Sequence, residues 1–186
     1  MQKKQAGLSV RLVVAIGIGT AIMVVLKRFV SIPTGFPNTN IDISYGVLGF
    51  FAAVFGPVAG FLIGFLGHAL SDLIGGAPWW SWVLATGVVG LVIGFFKNKL
   101  NVESGEFGVK KIILYNVAQI LANAVSWLLI APTLDILVYS EPANKVYLQG
   151  VIAGISNAVA AGVLGTILLV GYAATRTKAG SLKKAE

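Results

Sequence analysis

The stretch AAVFGPVAGFLIGFLGHALSD, residues 52–72, decides how the rest of the chain is read. It holds the end of one apolar run, a tight turn at Gly56-Pro57, and a second apolar run. Gly56, Gly60 and Gly64 recur every four residues and line one face of the second run as a helix. His68 and Asp72 continue the same step one turn further on. Lipid supplies no hydrophobic drive between helices, so small residues that let backbones approach closely become the main glue.

Working outward, apolar runs cover about residues 8–30, 41–55, 58–74, 79–96, 112–130 and 146–172. Between them lie SIPTGFPNTN at 31–40, Gly75-Gly76-Ala77-Pro78, and a polar stretch at 97–111. Ala131-Pro132 is expected to open a further loop reaching to about residue 145. Of the 186 residues, 56% are hydrophobic and only 11% charged, with a mean hydropathy of +0.86, too apolar for a chain that must face water. The expected fold is therefore an all-α membrane protein, one domain over residues 1–186, built as a bundle of six transmembrane helices. Several runs fall short of the roughly 20 residues of a comfortable span, which points to snorkelling ends or burial among neighbours. A membrane barrel is not expected, because its strands would alternate polar and apolar residues.

The net charge of +7 follows this topology. Lys3, Lys4, Arg11, Lys97, Lys99, Lys110, Lys111, Arg176, Lys178, Lys183 and Lys184, eleven of the fourteen basic residues, fall on one side if the runs cross in alternation. That is the positive-inside pattern, and it puts the N and C termini in the cytoplasm. Asp42, Asp72, Asp135 and Glu141 then fall towards the outer side. The charge is explained without a nucleic-acid partner. The first run reads as a retained helix, since Lys27-Arg28-Phe29 stands where a signal peptide would have a small-residue cleavage site. The chain has no cysteine, so a disulfide framework or thiolate metal site is excluded.

Small residues also step along the fourth run, at Gly87, Gly90 and Gly94, and along the sixth, at Gly150, Gly154, Ala158 and Gly162. On the first run Ala15 and Gly19, or equally Gly17 and Ala21, form small-xxx-small pairs suited to docking a second protein.

Polar residues within apolar helices are costly and mark candidate sites. His68 and Asp72 share a helical face and suit either contact with a ligand or a self-satisfied polar pair. Asn116, Gln119, Asn123 and Trp127 step by three, four and four residues along the fifth run. Three amides ending in an indole suit a wall for a polar heterocycle, and the same stripe also suits hydrogen bonding between helices. Asn157 is expected to face the same cavity. Asn38, Asn40 and Tyr45, with Trp79 beside Trp80 and Trp82, are expected to form its mouth. One histidine and one aspartate supply no nucleophile for catalysis and too few ligands for a metal. No phosphate-cradling loop is present, so no nucleotide cofactor is expected and any ATP-driven step must come from a partner.

The order of these features resembles the substrate-specific S components of energy-coupling-factor (ECF) vitamin transporters over nearly the whole chain. The resemblance lies in the small-residue first helix, the proline-containing loop, and the phrase FGPVAG at 55–60 followed by Gly64, Gly67 and an aspartate. SIPTGFPNTNI together with GHALSDLIGGAPWWSWV is similar to a group with hydroxymethylpyrimidine, pyridoxine or riboflavin-like cargo. The resemblance implies six helices, a vitamin site near the outer face, and assembly in the bacterial plasma membrane with a transmembrane coupling subunit and two ATP-binding subunits. It also implies a docking motif on the first helix, here Ala15 with Gly19. The chain would then be a transport subunit and no enzyme. The rival readings are an intramembrane enzyme using His68 and Asp72, and an assembly protein whose amides only pack helices.

Overall fold

The computed structural model describes residues 9–36 and 39–177. Helix α1 spans Val10–Phe29; the Ser9 hydroxyl accepts the Leu12 N–H at its start, and Lys27 and Arg28 occupy its last turn, where cations favour the helix dipole. The loop that follows folds as a short hairpin, β1 (Ile32–Pro33) against β2 (Asn40–Ile41), antiparallel with Ile32 opposite Ile41. Helix α2 covers Ser44–Phe55 and abuts α3, Pro57–Gly75. Between them Gly56 takes φ of 95°, a backbone conformation that favours glycine, and Pro57 opens α3 at a position that needs no N–H. Helix α4 is Trp80–Phe95, and a 45° bend leads to the short α5, Lys97–Leu100.

The last two helices are long. α6 runs Val109–Tyr139 and α7 runs Ala143–Ala174. Both contain a π-helical segment, at Val125–Ile130 in α6 and at Ala161–Gly165 in α7. The expected break at Ala131-Pro132 is therefore absent: the helix continues through Pro132 to Tyr139. The wider π turn immediately before the proline gives the ring room and re-sorts the hydrogen bonds that it would interrupt. In α7 the Ala161 carbonyl, inside the π segment, accepts the Tyr115 hydroxyl at 2.9 Å.

Among the described residues four helices (α1, α3, α6 and α7) are long and apolar enough to cross a membrane, and a fifth span results if α4 and the bent segment to Ser104 count as one. α2 has 12 residues, about 18 Å at 1.5 Å per residue, and ten of them are buried, so it sits inside the bundle. The outward faces are apolar at helical spacing. Val151, Ile155, Val159, Val163 and Ile167 form such a stripe on α7, and Ile113, Val117 and Ile120 on α6. Stripes this long suit lipid.

Packing is closest between α3 and α4. A Cβ on Gly60 would collide with the Gly90 carbonyl oxygen, and one on Gly90 with that of Gly60. One helical turn further on, a Cβ on Gly64 would stand 2.6 Å from the Thr86 carbonyl oxygen. Ala15 and Gly19 of α1 also turn inward: Ala15 is buried, and a Cβ on Gly19 would meet Ile63 and Phe51. Gly17 and Ala21 are the small residues that α1 exposes.

Gly60→Val should therefore force α3 and α4 apart, costing about 1–3 kcal/mol or more because the obstacle is backbone. Thermal denaturation in detergent should show the loss. Gly171→Ala, with nothing within 4 Å of the added carbon, should melt like the native chain.

Candidate functional site

A cavity of about 430 Å³ opens at the end of the bundle opposite the Lys97–Leu100 turn. The end of α1, the hairpin, the start of α2, the end of α3, the start of α4 and facing parts of α6 and α7 all reach it. Three polar clusters form its wall.

Thr86 is the centre of the first. Its hydroxyl lies 2.9 Å from the Trp82 carbonyl oxygen, to which it can only donate. With its single proton so used, it accepts from the Tyr45 hydroxyl at 2.9 Å and from His68 Nδ1 at 2.6 Å. The proton of a neutral His68 then sits on Nδ1, and Nε2 faces Asp72 at 3.5 Å. Asp72 also accepts the Trp79 backbone N–H at 3.2 Å.

Asp135 is the centre of the second. It is 2% exposed and accepts the indole N–H groups of Trp79 and Trp82, each at 2.7 Å, as well as the Ser81 hydroxyl. The third cluster is at the rim. Lys27 pairs with Asp42 at 3.0 Å, and Lys145 with Glu141 at 2.7 Å. Asp42 also accepts the Ser44 N–H, which orders the start of α2.

Aromatic rings supply the apolar surface. Trp82 and Trp127 lie 5.1 Å apart and inclined at 51°, and Tyr45 meets Trp127 edge-on at 5.9 Å. Asn157 lines the cavity at 3% exposure, and its side-chain oxygen has no donor among the described residues.

Of the residues singled out in the sequence, the structure brings Asn40, Tyr45, His68, Asp72, Trp79, Trp127 and Asn157 to this one space. Asn38 lies outside the described residues. Asn116, Gln119 and Asn123 do not line the cavity: they bond along their own helix and to α7. Asn116 donates to the Ile112 carbonyl at 3.0 Å and to Thr166 at 3.1 Å; Gln119 donates to Asn116 at 3.4 Å. Asn123 donates to the Gln119 carbonyl at 2.8 Å and accepts the Trp127 indole N–H at 3.1 Å. The amide stripe is thus a relay that ends by holding the ring of Trp127. Thr86, Lys27, Asp42 and Asp135 are site residues that the sequence reading misses: the first three border or lie inside apolar runs, the signal that marks His68, whereas Asp135 falls in the stretch expected to be a loop.

Thr86→Val keeps the shape of the side chain and removes the shared hydroxyl. Tyr45 and His68 then lose a buried partner, at about 1–3 kcal/mol for each group left unpaired. The melting temperature should fall measurably, and Thr86→Ser should recover most of it.

Residues 7–174 match the family model described as ECF-type riboflavin transporter, S component. A UPF0397 protein of Lacticaseibacillus casei is 67% identical over 183 residues, covering 98% of each chain. UPF0397 proteins of Clostridium perfringens and Staphylococcus aureus are 58% and 54% identical over 182 residues, covering 97% of this chain. Among solved structures, the S component for biotin from an ECF-type ABC transporter shares the fold, with a TM-score of 0.64 at 16% identity, covering 88% of this chain and 93% of that one.

Proposed function

The chain belongs to the family of ECF-type riboflavin transporter S components, and from that premise we propose that it captures a small vitamin or vitamin precursor, of hydroxymethylpyrimidine or pyridoxine type, in the cavity between its helices. Six helices cross the bacterial plasma membrane in this reading, with α2 and α4 as short spans and both termini in the cytoplasm. Arg11, Glu103 and Arg176 support that orientation, since their ion pairs gather at the end of the bundle that carries the basic loop. The cavity opens at the other end, towards the outside. A transmembrane coupling subunit and two ATP-binding subunits drive release, and the chain itself hydrolyses nothing.

The observation that carries the reading is Asn157. A buried amide oxygen without a donor is costly, and its residue lines a cavity whose volume suits a ligand of one or two rings. Trp127 and Trp82 offer faces for stacking, and His68 and Asp72 offer hydrogen bonds. The hairpin carrying Asn40, together with Tyr45 and Trp79, closes the mouth. Asn116, Gln119 and Asn123 act at one remove by fixing Trp127. The outward pair Gly17 and Ala21 takes the docking role in place of Ala15 and Gly19, because only an exposed face can meet a partner. The description of the family model favours a second cargo, a riboflavin-type molecule, in the same role.

Uptake into proteoliposomes tests the proposal. Labelled hydroxymethylpyrimidine, pyridoxine or riboflavin should accumulate only when coupling and ATP-binding subunits accompany the chain. Asn157→Ala and Trp127→Ala should each weaken binding roughly tenfold or more, as loss of about 1.4 kcal/mol requires. ATP hydrolysis by the chain alone, or binding unchanged in both variants, would contradict the reading.

A further inference from the structure

Four carboxylates border the cavity, and they are not equally compensated. Asp42 has Lys27 at 3.0 Å and Glu141 has Lys145 at 2.7 Å. Asp72 has the guanidinium of Arg28 by Gly75 on the same rim and accepts the Trp79 N–H, while Nε2 of a neutral His68 brings it no charge. Asp135 differs. Among the described residues no lysine or arginine stands within ion-pair distance of it, and its three partners, two indoles and a hydroxyl, are neutral donors.

Donors of this kind fix a carboxylate's direction and bring no countercharge to it. They are polarised in return. An indole that gives its N–H to an anion carries more negative charge on its ring face, the face that attracts cations. Trp82 is such a ring; it lies 5.1 Å from Trp127, which meets Tyr45 edge-on, and all three residues line the cavity. Asn157, whose buried side-chain oxygen has no donor among the described residues, lines the same cavity and suits a ligand N–H.

We propose that the cavity binds its ligand as a cationic nitrogen heterocycle, its charge lying against Trp82 and Trp127 with Asp135 as counter-ion and an N–H given to Asn157. This rests on reading the cavity as a cargo site and adds the charge of the cargo. The recognised feature is the positive ring, whether quaternary or protonated. Cation–π attraction is strongest where water is excluded, and here a buried anion adds to it.

Equilibrium dialysis with the purified full-length chain in lipid nanodiscs tests the charge. The probes are a hydroxymethylpyridine, uncharged at neutral pH, and its N-methylpyridinium cation. The cation should bind roughly tenfold more tightly or better, the ratio expected for a desolvated cation–π contact. In Asp135→Asn that preference should shrink to about twofold or less. Trp82→Phe, which keeps a ring and removes one N–H from Asp135, should reduce the preference in the same direction, and it serves if Asp135→Asn fails to fold. Equal or tighter binding of the uncharged pyridine by the native chain would overturn the charge assignment and leave the cargo-site reading standing. Saturable binding of neither probe would overturn both.

Discussion

Where Gly60 and Gly90 face each other, α3 and α4 approach until backbone meets backbone, a separation that residues with a Cβ do not permit. The rest of the site depends on this approach. Gly64 against the Thr86 carbonyl brings α3 close enough for His68 to reach the Thr86 hydroxyl at 2.6 Å. Thr86 in turn orients Tyr45 from α2, so three helices meet at one oxygen. In a bundle surrounded by hydrocarbon each of these polar groups must be satisfied from within, and the glycine seam makes the distances possible.

The same requirement separates polar groups that build the protein from those that serve a ligand. Asn116, Gln119 and Asn123 have partners along α6 and on α7, and their product is a fixed Trp127 ring. Asp135 joins α4 to α6 through Trp79, Ser81 and Trp82, yet keeps its charge unpaired. The Asn157 oxygen has no donor among the described residues, as is true of the Thr20, Ser44 and Ser126 hydroxyls, and of these four residues only Asn157 lines the cavity. On the proposed reading, structural and ligand-directed polarity stand side by side, and hydrogen-bond accounting together with position separates them where residue type does not.

Much of the fold is legible in the sequence. Gly56-Pro57 and Gly75-Gly76-Ala77-Pro78 end helices where they stand, because glycine conformation and the missing proline N–H act locally. Pro132 misleads for the opposite reason: a π segment is set by packing around the helix, and no single residue announces it. The site shows the same division. The step from Asn116 to Trp127 establishes a shared face, but amides four residues apart can bond to each other as readily as to a ligand. Only the tertiary arrangement decides between them. Asp135 is hidden for the same reason: Ala131-Pro132 reads as the start of a loop, whereas the continued helix carries Asp135 into the core at 2% exposure.

The central claim is that the cavity beside Asn157 holds a small molecule, and native mass spectrometry of gently purified protein tests it most directly. The native chain should release a small heterocyclic molecule on activation. Asn157→Leu, which fills the space and removes the amide, should fold, carry no such adduct and melt at a temperature that added ligand does not raise. A native chain that never carries a small molecule, or a variant that carries the same adduct in the same proportion, would contradict the account.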